Sequence, residues 1–318
     1  MIPVSVVTGF LGSGKTSFIR RVLTEPGFGR TAVIVNEFGE ISLDHELITS
    51  SDDSVLTLNT GCLCCAVQTD LARTLLELEA RRIRGDVGFD RVLIETSGLA
   101  NPGPMLQAMM TDQQVADSHR IDTVLTIADA VHGERNLADH AEARIQMALA
   151  DVILVSKQDV TPLSAALQGA IRRLNSGAAM LPVRDAAIET LFGRTPSDRL
   201  RVAAEASFAG HSDIETFTLV RDRPIPALAL TLLLEAIAEH CGPRLLRLKG
   251  LIGIEEMPGQ PAVIHGVHHV MSAPEFLDRW PTDDRTTRFV FIGNNIPRYF
   301  VARMLDAIEE EVRDTMIM

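Results

Sequence analysis

The chain has 318 residues, 46% of them apolar and 23% charged, and a formal net charge of −12. That balance describes an ordinary globular protein long enough for two domains, and the negative charge argues against binding nucleic acid or an anionic membrane through bulk electrostatics. No run of about 18 apolar residues suggests a membrane span, and no basic segment opens the chain as in a signal peptide. A reducing, cytoplasmic setting is therefore expected, in which clustered cysteines point to metal or redox chemistry.

The first predicted strand, IPVSVVTG from Ile2, runs straight into GFLGSGKT, Gly9 to Thr16. This fits G-x-x-x-x-G-K-[ST] between a strand and a helix, the context that a phosphate loop requires. Gly9, Gly12 and Gly14 let backbone N–H groups of the loop, Ser13 included, turn toward phosphate oxygens, and the helix N-terminus adds positive potential. Lys15 supplies a point charge to the β- and γ-phosphates, Thr16 a hydroxyl for Mg²⁺, and Ser17 follows as a further nucleotide-side residue.

The second strand, TAVIVN from Thr31, leads into NEFGEISLD, where Glu37 and Asp44 are candidates to orient an attacking water. A third, SVLTL from Ser54, precedes GCLCC, with Cys62, Cys64 and Cys65 in four consecutive positions. Loops leaving the C-terminal ends of parallel strands share one edge of the sheet, so these cysteines are expected on the same side as the phosphate loop. Proximity to a helix N-terminus favours the thiolate form. Three thiolates are one short of a closed tetrahedral zinc site and suit Zn²⁺, Cu⁺ or Co²⁺ held reversibly. Redox-reactive thiols and small buried core residues are the competing readings. The following helix carries Leu71, Leu75, Leu76 and Leu78 on its apolar pattern and ends in ARRIRG, cations suited to a helix C-terminus.

RVLIETSG, from Arg91, places Glu95 at a strand end as a Mg²⁺-side acid, with Gly98 three residues on to bring a backbone N–H near a γ-phosphate. Many GTPases follow this glycine with a water-orienting Gln; here Leu99 follows, so slow intrinsic hydrolysis is expected. The strands DTVLTIA, DVILV and AAMLPV come next, and the second of them ends in SKQD. There Asp159 can accept both donors of the guanine edge, with Lys157 beside it, while Ser156 stands where an Asn is usual. GTP is expected over ATP.

These short runs, rich in Val, Ile and Leu and separated by helical patterns, describe an α/β fold. The expectation is a P-loop NTPase parallel sheet with helices on both faces over residues 1–185. A boundary region of Pro, Gly, Ser and charge is expected over 186–212, and a smaller C-terminal α+β domain over 213–318. In that domain Cys241 follows an apolar helix and reads as core. VIHGVHHV, read as one strand, puts His265 and His269 on one face and His268 on the other, either as exposed strand histidines or as a second metal site.

The ordered set GFLGSGKT, NEFGE, GCLCC, ETSGLANP and SKQD resembles the CobW family of P-loop GTPases, metallochaperones and metal insertases related to urease and hydrogenase maturation GTPases. The stretch from RLKGLIGIEE through HGVHHV to RFVFIG resembles that family's C-terminal domain. The resemblance implies phosphate and Mg²⁺ binding by Gly12 to Thr16, Glu95 as the Walker-B acid, guanine reading by Lys157 and Asp159, and Zn²⁺ or Co²⁺ on Cys62, Cys64 and Cys65. It also implies a high-affinity metal site formed with GTP and opened by hydrolysis to GDP, for delivery to a client metalloprotein or metal-cofactor enzyme, with a homodimer as an open alternative. Departures are SKQD for the commoner Asn form, Asn101 where Asp is frequent, and no long His-rich tract. The competing functional reading is a nucleotide-binding redox or metal sensor with little turnover. A P-loop enzyme using ATP is a third.

Overall fold

The computed structural model describes residues 1–36, 55–58, 66–192 and 214–317. By internal packing the chain divides into two units. The first holds Met1–Ala170 with Ala178–Arg194, and the second Ile171–Gly177 with Thr195–Met318.

The first unit is built on a parallel sheet of β1 (Ile2–Thr8), β2 (Thr31–Asn36), β3 (Val55–Leu58), β4 (Arg91–Thr96), β5 (His119–Asp129), β6 (Val152–Ser156) and β7 (Ala179–Pro182). Among the described residues the seven strands run in the order β3-β2-β4-β1-β5-β6-β7, so each predicted apolar run of this half is a strand. The helices are α1 (Lys15–Thr24), α2 (Ala66–Arg84), α3 (Gly103–Thr111), α4 (Gln113–Ser118), α5 (Gly133–Asp139), α6 (Ala141–Leu149), α7 (Ala165–Leu174, whose last turn from Ile171 is counted with the second unit) and the short α8 (Ile188–Leu191).

Both faces of the sheet are covered, which is why its strands lack polar alternation. On one face Val7, Val33, Leu93, Leu125 and Leu154 pack with Phe18, Ile19 and Val22 of α1 and with Ile188 and Leu191 of α8. The intervening side chains Val4, Val6, Ile34, Ile94 and Val124 are equally buried. On that second face α6 is tied to β5 where Thr126 Oγ1 donates to Gln146 O at 2.8 Å. Ala186 and Phe192 also belong to the first core, which thus extends past residue 185 into the stretch that composition marks as boundary.

The second unit is an antiparallel sheet of β8 (Ile214–Arg221), β9 (Leu245–Ile252), β10 (Ala262–Val267), β11 (Val270–Met271), β12 (Glu275–Phe276) and β13 (Thr287–Asn294). The strands run β11-β10-β9-β13-β8, with β12 on β10. Helices α9 (Ala227–Cys241) and α10 (Arg298–Ile317) pack on it through Leu233, Ile237, Val301 and Leu305, against Leu248, Ile264, Phe289 and Phe291. Phe217 and Phe291 stack with centroids 4.8 Å apart.

One expectation is corrected here. VIHGVHHV is not a single strand but a hairpin: Val267 pairs with Val270, and His268 and His269 form the two-residue turn between them. His268 takes φ 52°, so the chain reverses and the proposed shared face of His265 and His269 does not exist. Cys241 is fully buried in the second core, as expected, and burial pushes its thiol up against a smaller opposing effect of Arg244. Among the described residues no helix is long and apolar enough to cross a membrane.

Candidate functional site

The strand order puts β1 between β4 and β5, with β6 beyond β5, so the loops leaving these four strands crowd one edge of the sheet. The loop 9–14 leaves β1 and enters α1 through Gly14, a left-handed N-cap at φ 99°. Gly9 must be glycine for lack of space: a Cβ there would lie 2.5 Å from Ile127 O and 2.8 Å from Ser13 Oγ. Lys15 opens the helix, is 8% exposed, and lays its ammonium back across the loop, donating to Gly9 O at 2.9 Å and Phe10 O at 3.4 Å. Phe10 in turn stacks on the His140 ring at 4.5 Å.

Thr16, one residue into the helix, donates its Oγ1 to Glu95 Oε1 at 2.8 Å. Glu95 comes from β4, directly beside β1, and is buried. A hydroxyl and a carboxylate converging at a phosphate loop are the hard oxygen donors that Mg²⁺ takes. Next along, Thr96 Oγ1 donates to Thr8 Oγ1 at 2.8 Å and fastens the two strand ends together. Gly98 then presses on the phosphate loop itself, since a Cβ on it would lie 2.7 Å from Leu11 N and 2.8 Å from Leu11 Cα. Any side chain at 98 would force the two loops apart. Asn101 accepts from Gly103 N at 2.8 Å, a side-chain hydrogen bond that anchors the turn into α3.

On the other flank, SKQD follows β6. Ser156 Oγ donates to Ser13 O at 2.7 Å and reaches Ala128 O at 3.3 Å. The residue that replaces the usual Asn therefore braces the phosphate loop. Lys157 adopts φ 56°, uncommon for a residue with a side chain, and its Nζ donates to Asp129 Oδ2 at 2.7 Å. Asp129 also accepts from Val131 N at 2.8 Å and His132 N at 3.3 Å. Burial works to raise the Asp129 carboxyl, but the hydrogen bond from Lys157 and those from Val131 and His132 outweigh it and hold the group below the ordinary carboxylate value. Asp159 stands at the surface, paired with Arg184 at 2.9 Å. The loop carrying Arg184 is fixed by Arg21, whose guanidinium donates to Val183 O and, at 2.9 Å, to Ala186 O.

The structure thus brings Gly9, Gly12, Ser13, Gly14, Lys15, Thr16, Ser17, Glu95, Gly98, Lys157 and Asp159 to one edge of the sheet. Glu37, Asp44, Cys62, Cys64 and Cys65 lie outside the described residues. β3 runs parallel to β2, so Leu58, the last described residue before the cysteines in the chain, ends on the same edge. Among the described residues no group of three or more His, Cys, Asp or Glu side chains converges on a metal site, and His265, His268 and His269 form none. Burial, then the neighbouring His269, holds His268 below the ordinary histidine value.

Sequence reading missed three participants. Asp129 carried a signal, an acid at the end of the predicted strand DTVLTIA. Gln146 carried one too, as a polar residue in register with the apolar face of Ala143, Met147 and Ala150. Arg184 carried none.

A family model for the CobW/HypB/UreG nucleotide-binding domain matches residues 3–182, and one for the cobalamin synthesis protein CobW C-terminal domain matches residues 214–309. The chain is 32% identical over 321 residues to the zinc chaperone YjiA of Escherichia coli (strain K12), covering 98% of this chain and 96% of YjiA. It is 32% identical over 353 residues to the zinc chaperone CobW of Pseudomonas aeruginosa, covering 96% of this chain and 90% of the relative. The crystal structure of the Zn(II)-bound YjiA GTPase from E. coli superposes with a TM-score of 0.74 at 25% identity, covering 96% of this chain and 98% of that one.

Proposed function

The chain belongs to the CobW/HypB/UreG family of nucleotide-binding proteins, with a CobW C-terminal domain, and from that premise we propose that it is a GTPase that carries zinc and releases it to a client. The observation that carries the nucleotide half is the pairing of Thr16 with Glu95 at 2.8 Å beside a buried Lys15 at the mouth of the phosphate loop. In this reading the loop N–H groups and Lys15 bind the β- and γ-phosphates. Thr16 and Glu95 would hold Mg²⁺, whose chemistry there would be to offset phosphate charge. Lys157 and Asp159 face guanine. The exposed Asp159–Arg184 pair costs little to exchange for the two donors of the base, since surface ion pairs are weak. With Leu99 after Gly98, the turn over the phosphates supplies no side-chain amide at that position, and slow turnover is expected.

The cargo half rests on GCLCC and on relatives that are zinc chaperones. Cys62, Cys64 and Cys65 offer three thiolates, and a fourth ligand that comes and goes with nucleotide state would make release possible. Zinc is the favoured cargo, and cobalt the competitor to test beside it. We assign the nucleotide chemistry to residues 1–185, and the C-terminal domain to 213–318.

Base selectivity tests the nucleotide assignment. With Mg²⁺ present, GTP should displace a fluorescent GDP far better than ATP does, and Asp159→Asn should move the preference toward xanthine nucleotides. Equal displacement by ATP and GTP in the unmodified protein overturns it.

A further inference from the structure

Gln146, on α6, is fully buried and uses one amide nitrogen on two carbonyls, donating to Gly98 O at 3.1 Å and Ala100 O at 3.0 Å. An amide NH₂ has two hydrogens, so its whole donor capacity is spent on a single turn, the one in which Ala100 N donates to Ser97 O at 3.0 Å. The flipped amide would set an oxygen against two carbonyl oxygens, so the assignment of nitrogen is fixed by chemistry. The main chain of Gln146 is itself held, because Thr126 Oγ1 of β5 donates to its carbonyl at 2.8 Å. On its far side the turn rests, through Gly98, against the backbone of Leu11. A continuous chain of contacts therefore runs from β5 through Gln146 and the 97–100 turn to the phosphate loop. α6 leads directly into β6, which delivers Ser156 and Lys157 to the other flank of that loop.

We propose that Gln146 is a positioning residue that holds the 97–100 turn against the phosphate loop and thereby sets how well the site separates a nucleoside triphosphate from a diphosphate. The inference rests on the GTPase reading above. The turn follows the strand that supplies Glu95, and in the GTPase reading its Gly98 N–H is the group that meets the γ-phosphate, which a diphosphate lacks. A turn released from α6 should therefore weaken triphosphate binding and spare diphosphate binding. A merely structural role would weaken both alike.

The test measures Kd for GDP and for a non-hydrolysable GTP analogue, both with Mg²⁺, in full-length protein, Gln146→Met and Gln146→Glu. Methionine keeps the length without a donor. A buried glutamate facing two carbonyls is held neutral and keeps one O–H donor. Loss of both bonds in Gln146→Met should weaken the analogue by ~10-fold or more, with GDP nearly unchanged. Gln146→Glu should fall between Met and the unmodified protein, and the melting temperature with GDP bound reports that each variant is folded. Parallel loss for both nucleotides, or no loss for either, overturns the proposal while leaving the GTPase reading intact. Failure of the unmodified protein to bind GTP overturns both.

Discussion

At position 156 a serine stands where guanine-reading motifs usually carry an asparagine, and its hydroxyl spans to the carbonyl of Ser13 at 2.7 Å. A side chain too short to reach a base is long enough to brace the loop, because β6 and the phosphate loop are already close. Ser156→Ala should weaken nucleotide binding about 3- to 10-fold, the worth of one buried hydrogen bond, with the same factor for GDP and GTP. Equilibrium binding of both nucleotides checks this. Asp129 bears on the same flank through Lys157 and the loop that follows β5. Its carboxyl is depressed in the folded chain, so the stability it contributes is complete above the unfolded value, near ~3.9, and is lost as pH falls through the folded value. Thermal unfolding of Asp129→Asn and the unmodified protein should therefore differ at neutral pH and converge in acid. A constant gap down to pH ~3, below the unfolded value, would show that ionisation of Asp129 contributes nothing.

Elements were legible in proportion to how strictly their surroundings dictated residue type. The strands buried on both faces could be read from unbroken apolar runs, and α1 from the glycine-to-lysine junction that opens it. The hairpin between β10 and β11 could not. Its turn is His268–His269, with neither Gly nor Asn at the position of φ 52°, so the run read as one strand. The attachment of α10 was equally hidden, since it depends on tertiary pairing. Glu309, 1% exposed at its side chain, meets Arg223 at 3.0 Å, Arg313 at 3.0 Å and Arg221 at 3.8 Å. Arg313 also donates to Glu255, and that bond, more than the one to Glu309, raises its guanidinium above the ordinary value. Removing the buried member of such a cluster is destabilising, tempered here because the arginines keep Asp306, Glu255 and water. Glu309→Leu should cost about 1–3 kcal/mol by denaturant unfolding. A neutral or stabilising result would mean that burying the carboxylate costs as much as its partners return.

For the whole molecule, the alternation of buried strands and helices was enough to foresee a parallel sheet with a phosphate loop after its first strand, followed along the chain by a second α+β unit. The residues proposed to meet phosphate and Mg²⁺ were legible because that chemistry demands fixed spacing: Lys15 and Thr16 after the glycines, Glu95 at the end of the neighbouring strand. The bracing roles of Gln146, Asp129 and Ser156 were not, because the sequence marks these positions as unusual but any polar group of suitable reach could brace a loop, and no spacing announces which contact it makes. In the sequence the cysteines fall between β3 and α2, and their link to the nucleotide is the claim on which the proposed function turns. It is tested most directly by titrating Zn²⁺, with Co²⁺ beside it, into full-length protein holding Mg²⁺ and either a non-hydrolysable GTP analogue or GDP, and repeating the titration on Cys64→Ala. Markedly tighter zinc binding with the triphosphate, lost in Cys64→Ala, is the expected result. Equal zinc affinity in the two nucleotide states would contradict a chaperone worked by GTP.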